Sequence, residues 1–124
     1  MKKTMIAALA VAILALAASQ LAALQVGTWE CMGYTITVTP DDPEDPQKSG
    51  TIEIYKEDDY AIVEASGVYY REGVKQPATV VDLTAVITTP DGVEEVSRTF
   101  TFSPGPKKTV WKTILSWLES EIAN

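Results

Sequence analysis

Asp41, Asp42, Glu44 and Asp45 form the densest group of carboxylates in the chain, and carboxylates in such density are what a divalent cation would seek. Their spacing departs from an EF-hand loop, and Pro40, Pro43 and Pro46 stiffen the segment in a way that loop does not use. A solvated loop kept soluble by its charge accounts for them, as it does for Glu57-Asp58-Asp59. The chain contains no histidine, so the commonest general acid/base and a principal zinc ligand are both missing. Cys31 is the single cysteine, which rules out an intramolecular disulfide. It can be an intermolecular bridge, a free thiol or a small buried hydrophobe, and its place after Trp29 and Glu30 on a strand-like segment favours the last. A serine nucleophile would need lysine as its base, yet neither Ser-x-x-Lys nor Gly-x-Ser-x-Gly occurs, and there is no glycine-rich phosphate loop. Among 17 acidic residues no pair stands out for glycoside chemistry. The expectation is a protein with no catalytic residues, no metal ligands and no cofactor.

Aromatic side chains are the remaining candidates. Trp29, Tyr34, Tyr55, Tyr60, Tyr69 and Tyr70 fall on strand-like segments, and Trp111 and Trp117 on a helical one. Such residues serve interfaces and pockets, and equally fill a small core. Tyr69 and Tyr70 are consecutive, so on a strand they face opposite ways and one meets solvent. The candidate interaction surface is therefore Tyr69 and Tyr70 together with Asp41, Asp42, Glu44 and Asp45. Ten basic against 17 acidic residues give a net charge of −7, with no basic stripe, which excludes a nucleic-acid partner. The expected partner is a protein or a second copy.

The elements that would position these groups are mostly strands. Tyr34, Ile36 and Val38 alternate with Thr35, Thr37 and Thr39, part of a threonine complement of 14. Period two marks a half-buried strand. Gly33 suggests a bulge or bend between this run and Trp29–Met32. After the acidic segment, strands are expected over 51–56, 60–65, 68–71 (Gly67 interrupting), 78–89 and 94–103. Thr89-Pro90-Asp91-Gly92 is a hairpin turn. Arg98 shares a face with Val96, Phe100 and Phe102, which places it near an edge or extends its stem along apolar surface. Beyond Pro104 and Pro106 the period changes: Val110, Trp111, Ile114, Leu115, Leu118 and Ile122 predict an amphipathic helix over about 109–123. The alternation Trp111, Thr113, Leu115, Trp117 also fits a strand.

At the N-terminus, Lys2 and Lys3 precede a wholly apolar run from Met5 to Ala18, with small residues at Ala15-Leu16-Ala17 and Ala17-Ala18-Ser19. This is the order of a secretory signal peptide, residues 1–23. If the stretch through Val26 is kept whole, it becomes a hydrophobic anchor or filament helix, the one route to membrane contact. Export to the periplasm, cell surface or medium follows either way.

Six or seven antiparallel strands and one helix fit a single domain over 24–124: a mainly β, antiparallel sandwich or small partly open barrel with a C-terminal helix. Gly27-Thr28-Trp29 resembles the G-x-W that opens lipocalin and avidin-type barrels, over those three residues and the threonine-rich strand that follows. The resemblance implies a barrel carrying a small apolar ligand among Trp29, Tyr34, Ile36 and Phe100. The leading expectation is an exported, non-catalytic interaction or structural module. The alternatives are that carrier, and an inhibitor acting through the acidic 41–45 loop.

Overall fold

The computed structural model describes residues 24–103 and 109–123, so the expected leader, residues 1–23, lies outside it. Six strands follow one another: β1 (Gly27–Cys31), β2 (Tyr34–Pro40), β3 (Ser49–Glu57), β4 (Ile62–Glu72), β5 (Ala78–Thr89) and β6 (Gly92–Phe102). A helix, α1 (Val110–Ala123), closes the chain. Each strand pairs antiparallel with its sequence neighbour, giving one open sheet in the order β1-β2-β3-β4-β5-β6. The protein is mainly β, as expected, but the strands form a single layer where two packed sheets or a barrel were anticipated. Every connection joins sequence neighbours, so the meander never leaves its sheet, and α1 supplies the second layer.

Local chemistry sets the turns. Met32 and Gly33 take positive φ values of 55° and 85°, the mirror-image turn that suits the twist of a two-residue hairpin. Gly33 thus ends β1 with a turn, where a bulge or bend was expected. Pro90-Asp91 joins β5 to β6, whose register closes at Thr89↔Gly92. Gly67 does not divide a strand. It lies inside β4, because a Cβ there would collide with the Asp82 carbonyl of β5.

Residues of one parity form the core: Tyr34, Ile36 and Val38 on β2, Ile52 and Ile54 on β3, Val63, Ala65 and Tyr69 on β4, Val81, Leu83, Ala85 and Ile87 on β5, and Phe100 on β6. Against them α1 buries Val110, Trp111, Ile114, Leu115, Trp117 and Leu118. Trp111 meets Trp29 edge-on at 5.4 Å between ring centroids, and Trp117 meets Phe100 at 5.6 Å. The helix has no acid in its first turn and no base in its last. That forgoes dipole stabilisation of about 0.3–1 kcal/mol per charge. Six buried side chains at about 1.5–3 kcal/mol each outweigh the loss, so packing, not charge, holds α1 helical.

Candidate functional site

Among the described residues, the helix covers one face of the sheet and nothing packs on the other, the bare face. Register shows what the bare face displays, because cross-strand partners share a face. One row runs Thr28, Thr37, Glu53, Ser66, Thr84, Ser97 through all six strands. The next runs Glu30, Thr35, Tyr55, Glu64, Val86, Glu95. Hydroxyls bond across strands here: Thr28 with Thr37 at 3.1 Å, Thr84 with Ser97 at 2.9 Å, and Thr99 donating to Asp82 at 2.5 Å.

Charge is sorted between the faces. The charged residues of bare-face parity are Glu30, Glu53, Glu57, Glu64, Glu72, Asp82 and Glu95, all carboxylates. The basic residues of the strands, Lys56, Arg71 and Arg98, have the opposite parity. A basin of about 510 Å³ opens in the middle of the bare face, lined by Thr35, Thr37, Glu53, Tyr55, Glu64, Ser66 and Val86 among others. Tyr55 donates to Glu57 at 2.6 Å, and that bond raises its phenol above the usual value. Hydroxyls, two carboxylates, one aromatic ring and apolar Ile54, Ala65 and Val86, with no basic side chain in the lining, form a surface that favours a hydrogen-bond donor or a cation and repels an anion.

On the helix side a polar knot joins sheet to helix. The Tyr34 hydroxyl donates to Glu119 Oε2 at 2.6 Å, and Lys56 Nζ donates to the same oxygen at 2.8 Å. Lys56 also lies 4.9 Å from the Tyr34 ring centroid and 3.5 Å from Asp58. Burial, then the Glu119 hydrogen bond, pushes the Tyr34 phenol far up. Hydrogen bonds from Lys56 and Tyr34 hold the Glu119 carboxyl low, and the Glu119 hydrogen bond raises Lys56. Asp58 is lowered by the backbone N–H groups of Ala61 and Tyr60. Two donors from β2 and β3 converging on one carboxylate oxygen of α1 fasten the helix to the sheet.

The candidates read from sequence divide. Tyr69 is buried at 1% exposure, which takes it off the surface proposed for it; Tyr70, 37% exposed, lies on the bare face. Tyr69 reaches under the acidic loop to donate to the Pro46 carbonyl at 2.7 Å. Gly50 clears its path, since a Cβ there would strike the Tyr69 ring. Burial, with the Asp41 charge, pushes that phenol up to about 12. Asp41, Asp42 and Glu44 are exposed along the loop and Asp45 half-buried. Three of the four carboxylates act locally: Asp41 accepts from Ser49, Asp42 from the Glu44 amide, and Asp45 from Arg71, all at 2.9 Å. Gln47 fastens the loop to Leu24, bonding both its amide and its carbonyl. Cys31 is a free, half-buried cysteine packed against the core. Glu30, Glu53, Glu64 and Glu95 were missed as a group. Their signal was parity: each alternates with core residues, and only register brings them onto shared rows.

No family model matches the chain, and neither a curated protein nor a solved structure matches it.

Proposed function

We propose that this chain is an exported, non-catalytic interaction or structural module whose working surface is the bare acidic face of the sheet, turned toward a protein partner with a basic surface. The observation that carries the reading is the sorting of charge: α1 covers one face, while on the other, which spans all six strands, the charged strand residues among those described are all carboxylates. Opposite fields steer encounter and select partners. A six-stranded surface that no described element covers is available for such contact.

The carrier alternative draws less support. Tyr34, Ile36 and Phe100, which would line a barrel, instead pack beneath α1, whose Ile114, Leu115 and Leu118 fill the space a ligand would occupy. The inhibitor alternative rests on a loop in which Asp41, Asp42 and Asp45 are already engaged, by Ser49, the Glu44 amide and Arg71.

The test expresses the chain with its own leader in its native host and follows the mature protein by fractionation and intact mass. Loss of about 17–23 N-terminal residues, or retention of all of them in the membrane, accords with export; an intact chain in the cytosol contradicts it. Glu53→Lys with Glu64→Lys should release the protein from its basic partner, and so should about 0.5 M salt, since screening is short-ranged there. Lys112→Glu on the exposed side of α1 should leave it bound. Retention of the face variant would remove the bare face as the working surface.

A further inference from the structure

Among the described residues, the last strand is an open edge. β6 is 11 residues long, contains no proline, and pairs with β5 without a register slip from Thr79↔Phe102 to Thr89↔Gly92. Among the described residues no strand pairs with its outer side. Val93 is 70% exposed, and Glu94, Glu95, Ser97, Arg98 and Thr99 are also exposed. Such an edge is a template for another strand unless something blocks it.

We infer that the strand it accepts is β6 of a second copy of this chain, antiparallel, about a two-fold axis at Val96. Charge complementarity selects both partner and register. Centred on Val96, Glu94 of each copy faces Arg98 of the other, Val96 meets Val96 between the two ion pairs, and Glu95 faces Ser97; the two Glu95 side chains then lie one diagonal apart, a repulsion that two directly opposed ion pairs outweigh. Centring on Glu95 or Arg98 sets like charges opposite each other, which is unfavourable. Centring on Ser97 pairs no charges at all. The opposite edge is a poorer match, since β1 has 5 residues and would leave more than half of β6 uncovered. Head-to-tail pairing of β6 with β1 would also run on without closing, whereas the two-fold closes.

This inference deepens the proposed function, on which its meaning rests. The axis stands perpendicular to the sheet, so both bare faces lie on one side and join into a single acidic surface of twice the width. Arg98 is already poised along the edge, its guanidinium 4.7 Å from the Phe100 ring centroid.

Sedimentation equilibrium of the purified chain tests it. The expected result is a monomer–dimer equilibrium that Arg98→Glu weakens by about tenfold or more, two cross-strand pairs being replaced by repulsion. Glu94→Arg alone should do the same, and Glu94→Arg with Arg98→Glu should restore dimerisation by reversing both pairs. The register has its own readout: in a Cys31→Ser background, Val96→Cys should form a disulfide between copies, because residues directly opposite bring their Cβ atoms within about 5.5 Å. Thr99→Cys, far from its own mate in this register, should not. A monomer up to about 100 µM, a dimer indifferent to the charge reversal, or cross-linking at Thr99→Cys in place of Val96→Cys would overturn the inference. Binding to the basic partner separates the two readings: a monomer that still binds its partner sinks the edge pairing alone, and a dimer that the face variant fails to release sinks the bare face alone.

Discussion

Tyr34, Lys56 and Glu119 show how a few atoms can tie a C-terminal helix to a sheet 85 residues away in sequence. Their charges make the tie depend on pH at both ends of the scale. Glu119 has a folded pKa below its ordinary value, so its contribution is present above the unfolded pKa of about 4.3 and is lost as pH falls through the folded value. Lys56 has a folded pKa above its ordinary value, so its contribution is present below about 10.4 and is lost as pH rises through the folded value. The melting temperature should therefore be flat between about pH 5 and 10. Glu119→Gln should unfold at a lower temperature than the parent at pH 7, and the two curves should converge near pH 2, where both side chains are neutral. Thermal unfolding followed by circular dichroism decides it; a gap that stays constant with pH would show that Glu119 acts without its charge. Tyr34→Phe, which removes one buried hydroxyl from the same oxygen, should cost about 1 kcal/mol at pH 7.

Two glycines, Gly33 in a hairpin turn and Gly67 within β4, separate backbone strain from steric exclusion. At Gly33 the φ of 85° asks for a left-handed conformation, yet nothing lies within 4 Å of an added Cβ. Gly33→Ala should therefore cost about 1 kcal/mol, the strain of that conformation alone. At Gly67 an added Cβ meets the Asp82 carbonyl of the adjoining strand, so Gly67→Ala must push β4 from β5 and should cost about 3 kcal/mol or more. Equal costs in urea unfolding would refute the distinction. The same pair shows what the sequence could convey. Glycine marked both positions, and the period-two runs marked the strands around them. Whether a glycine ends a strand or lies within it depends on the neighbouring strand's backbone, a long-range fact absent from local pattern. The helix was legible because Ile114, Leu115 and Leu118 recur at helical spacing over buried ground. The number of sheets was not, since Ile52 and Ile54 alternate in the same way whether the layer above them is a sheet or a helix. The bare face was half legible: parity set its acids apart from the core, while which acids became neighbours awaited the register.

Taken whole, the molecule holds seven more acids than bases, and its sheet concentrates the imbalance on one side. At low ionic strength the resulting repulsion should weaken the fold, because it is relieved when the chain expands. Range determines which carboxylates matter. Glu53 and Glu64 lie on adjacent strands one diagonal apart, roughly 7–8 Å, within the Debye length of about 8 Å at 0.15 M salt. Glu30 and Glu95 occupy the two edge strands, five strand spacings or about 24 Å apart, and are screened from each other. The melting temperature should thus rise by about 3 °C or more between 0.01 M and 0.5 M salt. Glu64→Lys, at the centre of the row, should raise the low-salt value and flatten that dependence more than Glu30→Lys at its edge. A scanning calorimetry series over salt for the three proteins tests the ordering, and equal slopes would show that no local repulsion is stored on the face. The same Glu64→Lys change is expected to weaken partner binding. A substitution that stabilises the fold while impairing association is the signature of a surface kept acidic for its partner at some expense to stability.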